Sequence, residues 1–333
     1  MIKSLGKWFG RGVFAPAVVV GAFWVLGPYE PVEVNVGFDE AELSDGVGPY
    51  LAAQEARFDD ITEGVEKRVV WAGAPETKTD LAVLYVHGFS ASSEELRPVP
   101  DKVAAAYGAN LVFTRLKGHG RPGEALGDVR VEDWMNDVAE ALAVARAVGE
   151  EVIVIATSTG CTLTAEALLQ PDNAKAVKAV IFVAPNFAIN DTKSWMLTLP
   201  GARYWLPLIA GRERSWEPAS EAVATYWTSR YPMQAAITLA ALVKHAQAQD
   251  YSGVTVPALF YYSHKDTVVL ASETDRIAAQ WGKDAGGLAT VVPLPDDADV
   301  VDNRHVIAGQ IASPGNTEAA LQVFLDWLKG VMA

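Results

Sequence analysis

The sequence predicts an α/β fold: a mostly parallel central sheet flanked by helices, with an inserted helical cap. Three observations carry that expectation. Continuous apolar runs of strand length alternate with segments of helical spacing, the pattern of a parallel sheet buried on both faces. One run, Val152-Ile153-Val154-Ile155-Ala156-Thr157, ends at Ser158 and passes at once into a helix-like segment, Thr162 to Leu169. The stretch from Asn186 to Asp250 breaks the rhythm, with no convincing strand and many aromatic and aliphatic residues, among them Trp195, Leu199, Trp205, Leu206 and Trp227. It reads as several short helices set between two strands.

The 333 residues can bury a large core, and 50% of them are hydrophobic, as a globular chain requires. Acidic residues number 41 against 27 basic ones, a net charge of −14. No basic run follows the first residues, so a nucleic-acid partner is excluded. A single cysteine, Cys161, allows no intramolecular disulfide. It sits where a small buried residue is expected, at the start of the helix after Ser158. Nothing in the sequence bears on oligomeric state.

Taken in order, residues 1–11 carry Lys3, Lys7 and Arg11 and no acid, and Val13 to Leu26 are uncharged and apolar. This predicts a membrane anchor or signal over 1–28. The absence of an A-x-A cleavage site favours the anchor. The basic flank then leaves the N-terminus in the cytoplasm and the rest of the chain on the extracytoplasmic side, periplasmic in a bacterium. Secretion after cleavage is the alternative. Residues 29–60, acidic and interrupted by proline and glycine, read as tether and lead-in. The core is expected over 61–188 and 251–333, and the cap over 189–250.

Within the core, Val69–Trp71 reads as an early strand, Pro75–Lys78 as a turn and Leu81–Val86 as a buried strand. His87-Gly88-Phe89-Ser90 follows as a loop, and Ser92, Ser93 and Glu95 suggest a helix start. After the strand Leu111–Phe113 comes Lys117-Gly118-His119-Gly120-Arg121-Pro122-Gly123. It formally contains G-x-G-x-x-G, but Pro122 and Gly123-Glu124-Ala125 open no helix, so it reads as a glycine-rich surface loop. Glu132–Val148 has helical spacing. Ala179–Val183, Val256–Tyr262 and Ala289–Val292 are further strands, and Ala271–Trp281 and Glu318–Leu328 further helices.

A strand, a sharp turn carrying one hydroxyl and a helix make a nucleophile elbow, which lifts the serine oxygen clear of the sheet at a helix N-terminus. Ala156 and Gly160 hold the two small positions around Ser158, with alanine where glycine is usual. A serine needs a base to take its proton and a carboxylate to orient that base. Elbows of this kind are followed along the chain first by the acid and then by the histidine. Of His245, His264 and His305, only His305 lies in a loop after the last strand and before the last helix. Asp266 follows the Val256–Tyr262 strand and is the candidate acid, with Asp191 the runner-up. Asp296, Asp297, Asp299 and Asp302 form a solvated acidic loop before His305. The backbone N–H groups of Phe89 and Thr159 are the candidate donors to a developing oxyanion. His87 is assigned a structural role. This chemistry needs no metal or organic cofactor.

Together, His87-Gly88-Phe89-Ser90, Gly118-His119-Gly120, Ala156-Thr157-Ser158-Thr159-Gly160, Ser263-His264-Lys265-Asp266-Thr267-Val268-Val269 and His305 resemble the α/β-hydrolase superfamily. The likeness covers roughly residues 65–330 and is greatest to monoacylglycerol-lipase-like and serine-aminopeptidase-like carboxylesterases. It implies a helical cap after the sixth strand and hydrolysis of a small-molecule ester, with an apolar acyl group suggested by the aromatic cap. Acyltransferase, thioesterase or peptidase activity on the same residues is the alternative. A non-catalytic binding protein on this fold is a further one.

Overall fold

A computed structural model describes residues 21–332. Most of the expected anchor, residues 1–20, lies outside the described residues. Residues 21–26 are helical and exposed, and among the described residues no helix is long and apolar enough to cross a membrane.

The centre is a seven-stranded sheet. Its strands are β1 (Arg68–Val70), β2 (Thr79–Val86), β3 (Asn110–Phe113), β4 (Gly149–Thr157), β5 (Val177–Val183), β8 (Ala258–Tyr262) and β9 (Ala289–Pro293). The spatial order is β1-β3-β2-β4-β5-β8-β9. Only β1 runs antiparallel to its neighbour, β3. The central strands are apolar at every position along much of their length because both faces are covered. Residues 82–86 of β2, 152–157 of β4 and 179–183 of β5 are all buried.

One face of the sheet packs against α3 (Val131–Val148) and α4 (Thr159–Leu168). Leu84, Val154 and Phe182 meet Trp134, Leu142 and Leu163 in one core cluster. The other face packs against α2 (Val99–Tyr107) and α10 (Thr317–Met332), with Ile155 and Ile181 beside Val103 and Phe324. The remaining core helices are α1 (Val47–Glu55), the short α5 (Pro171–Ala174) and α9 (Ala271–Gln280).

Between β5 and β8 lie α6 (Ala202–Ala210), α7 (Glu221–Tyr226) and α8 (Met233–Gln247). Contrary to the expectation of short helices alone, this segment also holds a two-stranded antiparallel ribbon, β6 (Glu213–Ser215) with β7 (Arg230–Pro232). Three-residue strands with largely polar, solvent-facing side chains carry no alternation for sequence reading to detect. α8, moreover, is a long helix. Its Ala235, Leu239, Leu242 and Ala246 join the principal core, while Met233 and Ile237 form a small separate cluster with Ala202 and Leu206 of α6.

Two further expectations change. Glu95 does not cap a helix: Ser93–Glu95 is a single 3₁₀ turn and α2 starts only at Val99. The glycine-rich loop is not a plain surface loop, since Gly118 and His119 within it are buried. His119 packs against the rings of His87, Phe89 and Trp134 at 5.0, 5.8 and 5.8 Å between centroids. Alternating glycines signal a solvated loop only when the residue between them is polar and free, and here the imidazole is a core side chain.

Candidate active site

Ser158 stands between β4 and α4 with φ 52° and ψ −116°, a conformation costing on the order of 1–3 kcal/mol for a non-glycine residue. Three backbone hydrogen bonds hold it there. The Ser158 N–H donates to Val183 O (3.0 Å), and the Ser158 carbonyl accepts from Cys161 (3.0 Å) and Asn186 (3.1 Å). Gly160 is required because α4 starts in contact with the end of β2. A Cβ at that position would lie 2.3 Å from Val86 O. Ala156, by contrast, is an ordinary strand residue paired with Val86 and Phe182, and its methyl is buried without conflict. The elbow therefore tolerates alanine there. Burial pushes the Cys161 thiol well above its ordinary range, so it stays protonated.

His305 arrives from the loop between β9 and α10, and Asp266 from the end of β8. His305 Nε2 lies 2.9 Å from Ser158 Oγ, and His305 Nδ1 lies 2.7 Å from Asp266 Oδ2. In the neutral ring, Nδ1–H donates to the carboxylate and Nε2 accepts the serine proton. Asp266 Oδ1 is occupied separately, accepting from the N–H groups of Val268 (2.7 Å) and Val269 (3.0 Å). The two loops are tied directly, Thr267 N–H to Asn303 O at 3.0 Å. Arg304, in the left-handed region at φ 54°, reaches back to Ser263 Oγ (3.0 Å) and Pro295 O (2.6 Å). The runner-up acid is elsewhere: Asp191 is exposed and accepts from its own loop at Lys193. His264 is exposed beside Asp275, and His245 lies on α8 beside Gln249. Asp296 is exposed and paired with Lys265.

The loop after β2 runs beside Ser158. A Cβ on Gly88 would lie 3.1 Å from Ser158 Cβ and 3.0 Å from Glu95 Oε1. Among the described residues no acceptor takes the N–H of Phe89 or Thr159. Thr159 opens α4, where backbone N–H groups are free by construction. His87 fixes its loop as a neutral ring: Leu116 N–H donates to Nε2 (3.1 Å), which leaves Nδ1–H to donate to Gly88 O (2.9 Å). Burial lowers its pKa to about 4.

Sequence reading missed Glu95 as part of this region. Its carboxylate is buried, and burial raises its pKa. Glu95 Oε2 accepts from Gly88 N–H (2.8 Å) and from the Tyr85 hydroxyl (3.1 Å), and that hydroxyl also lies 3.1 Å from Thr157 Oγ1. A chain of buried polar groups thus joins the residue before Ser158 to the loop bearing Phe89. A glutamate three residues after a serine looks like a capping residue, and only the fold shows it turned inward.

A cavity of about 220 Å³ lies within the cap segment, lined by Ile189, Met196, Leu206, Met233 and Leu239 together with Asp191 and Arg214. It adjoins the site through Tyr231, which also lines it and packs edge-on against Phe89 at 5.0 Å. Ile189 is bridged to Val269, three residues past Asp266. Among the described residues no group of three or more His, Cys, Asp or Glu side chains could hold a metal ion.

Residues 77–290 match the family described as "Serine aminopeptidase, S33". The chain belongs to the S33 family. Its fold is that of the α/β-hydrolases, and S33 members are serine hydrolases. Among sequence relatives, the thermostable monoacylglycerol lipase of Bacillus sp. (strain H-257) is 33% identical over 84 residues. That match spans 25% of this chain and only 33% of the relative. Among solved structures, the Paleococcus ferrophilus monoacylglycerol lipase superposes with a TM-score of 0.58 at 17% identity, covering 80% of this chain and 99% of that one. A structure from work on the metagenome-derived lipolytic enzymes LipS and LipT gives 0.61 at 17% identity, covering 81% and 99%. A soluble variant of Saccharomyces cerevisiae monoglyceride lipase gives 0.57 at 12% identity, covering 80% and 91%. At these identities the superpositions speak for the S33 chain's fold alone.

Proposed function

We propose that the protein hydrolyses carboxylic esters with an apolar acyl group through a covalent acyl-enzyme. The reading rests on the hydrogen-bonded line from Ser158 Oγ to His305 Nε2 (2.9 Å) and from His305 Nδ1 to Asp266 Oδ2 (2.7 Å). Ser158 Oγ attacks the acyl carbon as its proton passes to His305. Asp266 holds the ring in the required tautomer and stabilises the imidazolium. The N–H groups of Phe89 and Thr159 receive the oxyanion. His305 then protonates the departing alkoxide, and the acyl group stays on Ser158. A water gives its proton to His305 and attacks the ester, releasing the acid and restoring the serine. No metal or organic cofactor enters these steps.

The cavity within the cap, which reaches the site through Tyr231, supports an apolar acyl group. At about 220 Å³ it is smaller than the ~300–1,000 Å³ of sites for drug-sized ligands and suits a single acyl chain. A monoacylglycerol-type ester, the substrate class in the relatives' names, agrees with that size. The basic flank and apolar run of residues 1–26 support a membrane tether with the catalytic domain on the extracytoplasmic side.

Labelling with a fluorophosphonate probe tests the reading. Wild type is expected to label and Ser158→Ala not; equal labelling of the two would remove Ser158 as nucleophile. Hydrolysis across esters of increasing acyl length is expected to favour medium chains, and a preference for acetyl esters would count against the acyl pocket.

A further inference from the structure

Fourteen large apolar residues stand exposed among the described residues, and ten of them belong to three adjoining segments: residues 23–29, residues 195–209, and Leu270. On α6, Tyr204 and Leu208 are one helical turn apart and, with Ile209, are 72, 74 and 69% exposed, while Ala202 and Leu206 of the same helix pack inward. The segments are joined physically. Gly201 N–H donates to Pro28 O (2.7 Å), and a Cβ on Gly201 would lie 3.1 Å from the Phe23 ring. Trp24, Tyr29, Trp195 and Leu270 line one open groove. A soluble monomer rarely leaves so much apolar surface contiguous.

Three observations bear on what covers it. The uncharged run Val13–Leu26, preceded by Lys3, Lys7 and Arg11, leads directly into this face. The exit point is fixed, because the nearly buried Glu30 carboxylate is clamped by Arg203 of α6 (2.7 and 2.8 Å) and by Arg130. The surroundings are cationic on an acidic protein. With Arg203 neutralised by Glu30, residues 186–216 still carry Lys193, Arg212 and Arg214 against Asp191 and Glu213 although the chain as a whole is at −14, and Lys244 stands over the Tyr29 ring at 5.9 Å. Aromatic residues at the edge of an apolar surface, with lysine and arginine around them, match the boundary between lipid headgroups and acyl chains.

We propose that this face, centred on Tyr204, Leu208 and Ile209, rests in the surface of an anionic phospholipid bilayer. Leu270 lies four residues past Asp266, so the docked face adjoins the active-site edge and turns it toward the membrane. The proposal shares its membrane with the tether reading above but needs contacts that a tether alone does not make.

The full-length chain, reconstituted into phosphatidylcholine vesicles containing phosphatidylglycerol, tests it. Leu208→Cys, Tyr204→Cys and, as control, Asp172→Cys on exposed α5 are each labelled with an environment-sensitive nitrobenzoxadiazole dye. Cys161 is buried and does not compete. The dye at 208 and at 204 is expected to shift to the blue and to be quenched by nitroxide-bearing lipid, and the dye at 172 to do neither. Vesicle-bound protein with the same emission at all three positions would leave the tether standing and overturn the docked face. Failure of wild type to sediment with vesicles would overturn both. A blue shift at 208 without vesicles would overturn it in favour of a second copy if it grows with protein concentration, and of the chain's own N-terminal segment if it does not.

Discussion

At the C-terminal edge of the sheet, Ser158, Asp266 and His305 each sit in a loop held by several backbone hydrogen bonds, and the loops are tied to one another. In the cap above them, α6 is held to α8 chiefly by the packing of Ala202, Leu206, Met233 and Ile237, with the Arg203–Thr238 hydrogen bond (2.9 Å) beside it. The contrast fits what the proposed hydrolysis asks of each region. Reacting atoms need placement to a fraction of an ångström, which directional bonds to the backbone provide. A wall that receives an acyl chain needs volume and apolarity, which non-directional packing supplies.

Four measurements bear on that contrast, taken from the largest expected effect to the smallest. Asp266→Asn removes the charge that holds His305 in its tautomer and is expected to lower kcat by about 10⁴-fold. A loss below tenfold would mean the backbone bonds alone hold the ring. Glu95→Leu frees the Gly88 N–H and lets the Phe89 loop drift, so kcat is expected to fall by about 10²-fold with KM little changed. Glu95→Gln keeps an acceptor for Gly88 and should stay within a few-fold of wild type. If Gln and Leu lose equally, the carboxylate charge matters and not the hydrogen bond. In the cap, Leu206→Ala should destabilise its small cluster by about 2–5 kcal/mol. It should also lower kcat/KM for medium-chain esters by about tenfold, while the rate of fluorophosphonate labelling at Ser158 is unchanged. A parallel loss in labelling would show that the two regions are not independent.

The last measurement changes stability without touching chemistry. Glu166, on the helix that Ser158 begins, accepts from the Tyr251 hydroxyl at 2.9 Å, and burial raises its pKa from 4.5 to about 7. His245 lies 3.6 Å away, but burial lowers its own pKa, so it offers little compensating charge at neutral pH. A raised folded pKa favours the native state below 4.5, and that advantage is lost as pH rises through 7, at most about 3 kcal/mol. Glu166→Gln keeps the acceptor and cannot ionise, so its Tm should exceed that of wild type at pH 8 and match it at about pH 4, below the unfolded value. His87 works in the opposite direction. Its folded pKa of about 4 lies below the unfolded 6.5, so stability present above pH 6.5 is lost as pH falls toward 4. An acid limb should therefore survive in the Glu166→Gln curve.

The parallel strands were legible because burial on both faces leaves continuous apolar runs. The elbow was legible not from its own stretch, which a capped strand end would also fit, but because Asp266 and His305 follow it in order and His87-Gly88-Phe89 precedes it. The ribbon of β6 and β7 was not, since two three-residue strands, one of them wholly exposed and polar, are too short to show a period. Glu95 and His119 were misread for a related reason. A charged or ionisable side chain in a loop is solvated far more often than buried, and only a partner supplied from elsewhere reverses that balance. Gly88 and Tyr85 supply it for Glu95, and the rings of His87, Phe89 and Trp134 surround His119.

What the sequence by itself determined is the alternation of strands and helices, the position of the inserted segment, and the order of Ser158, Asp266 and His305 along the chain. Those are local properties, set by periodicity and by the residue types at strand ends. Tertiary structure alone decided that groups 147 and 39 residues apart stand at 2.9 and 2.7 Å, that Glu95 faces Gly88, and that Tyr204, Leu208 and Ile209 of α6 turn outward beside residues 23–29. The first depends on β4, β5 and β8 lying side by side in the sheet, the second on the segment after β2 folding back on itself, and the third on α6 packing its other side against α8; no single element of the sequence contains any of these contacts.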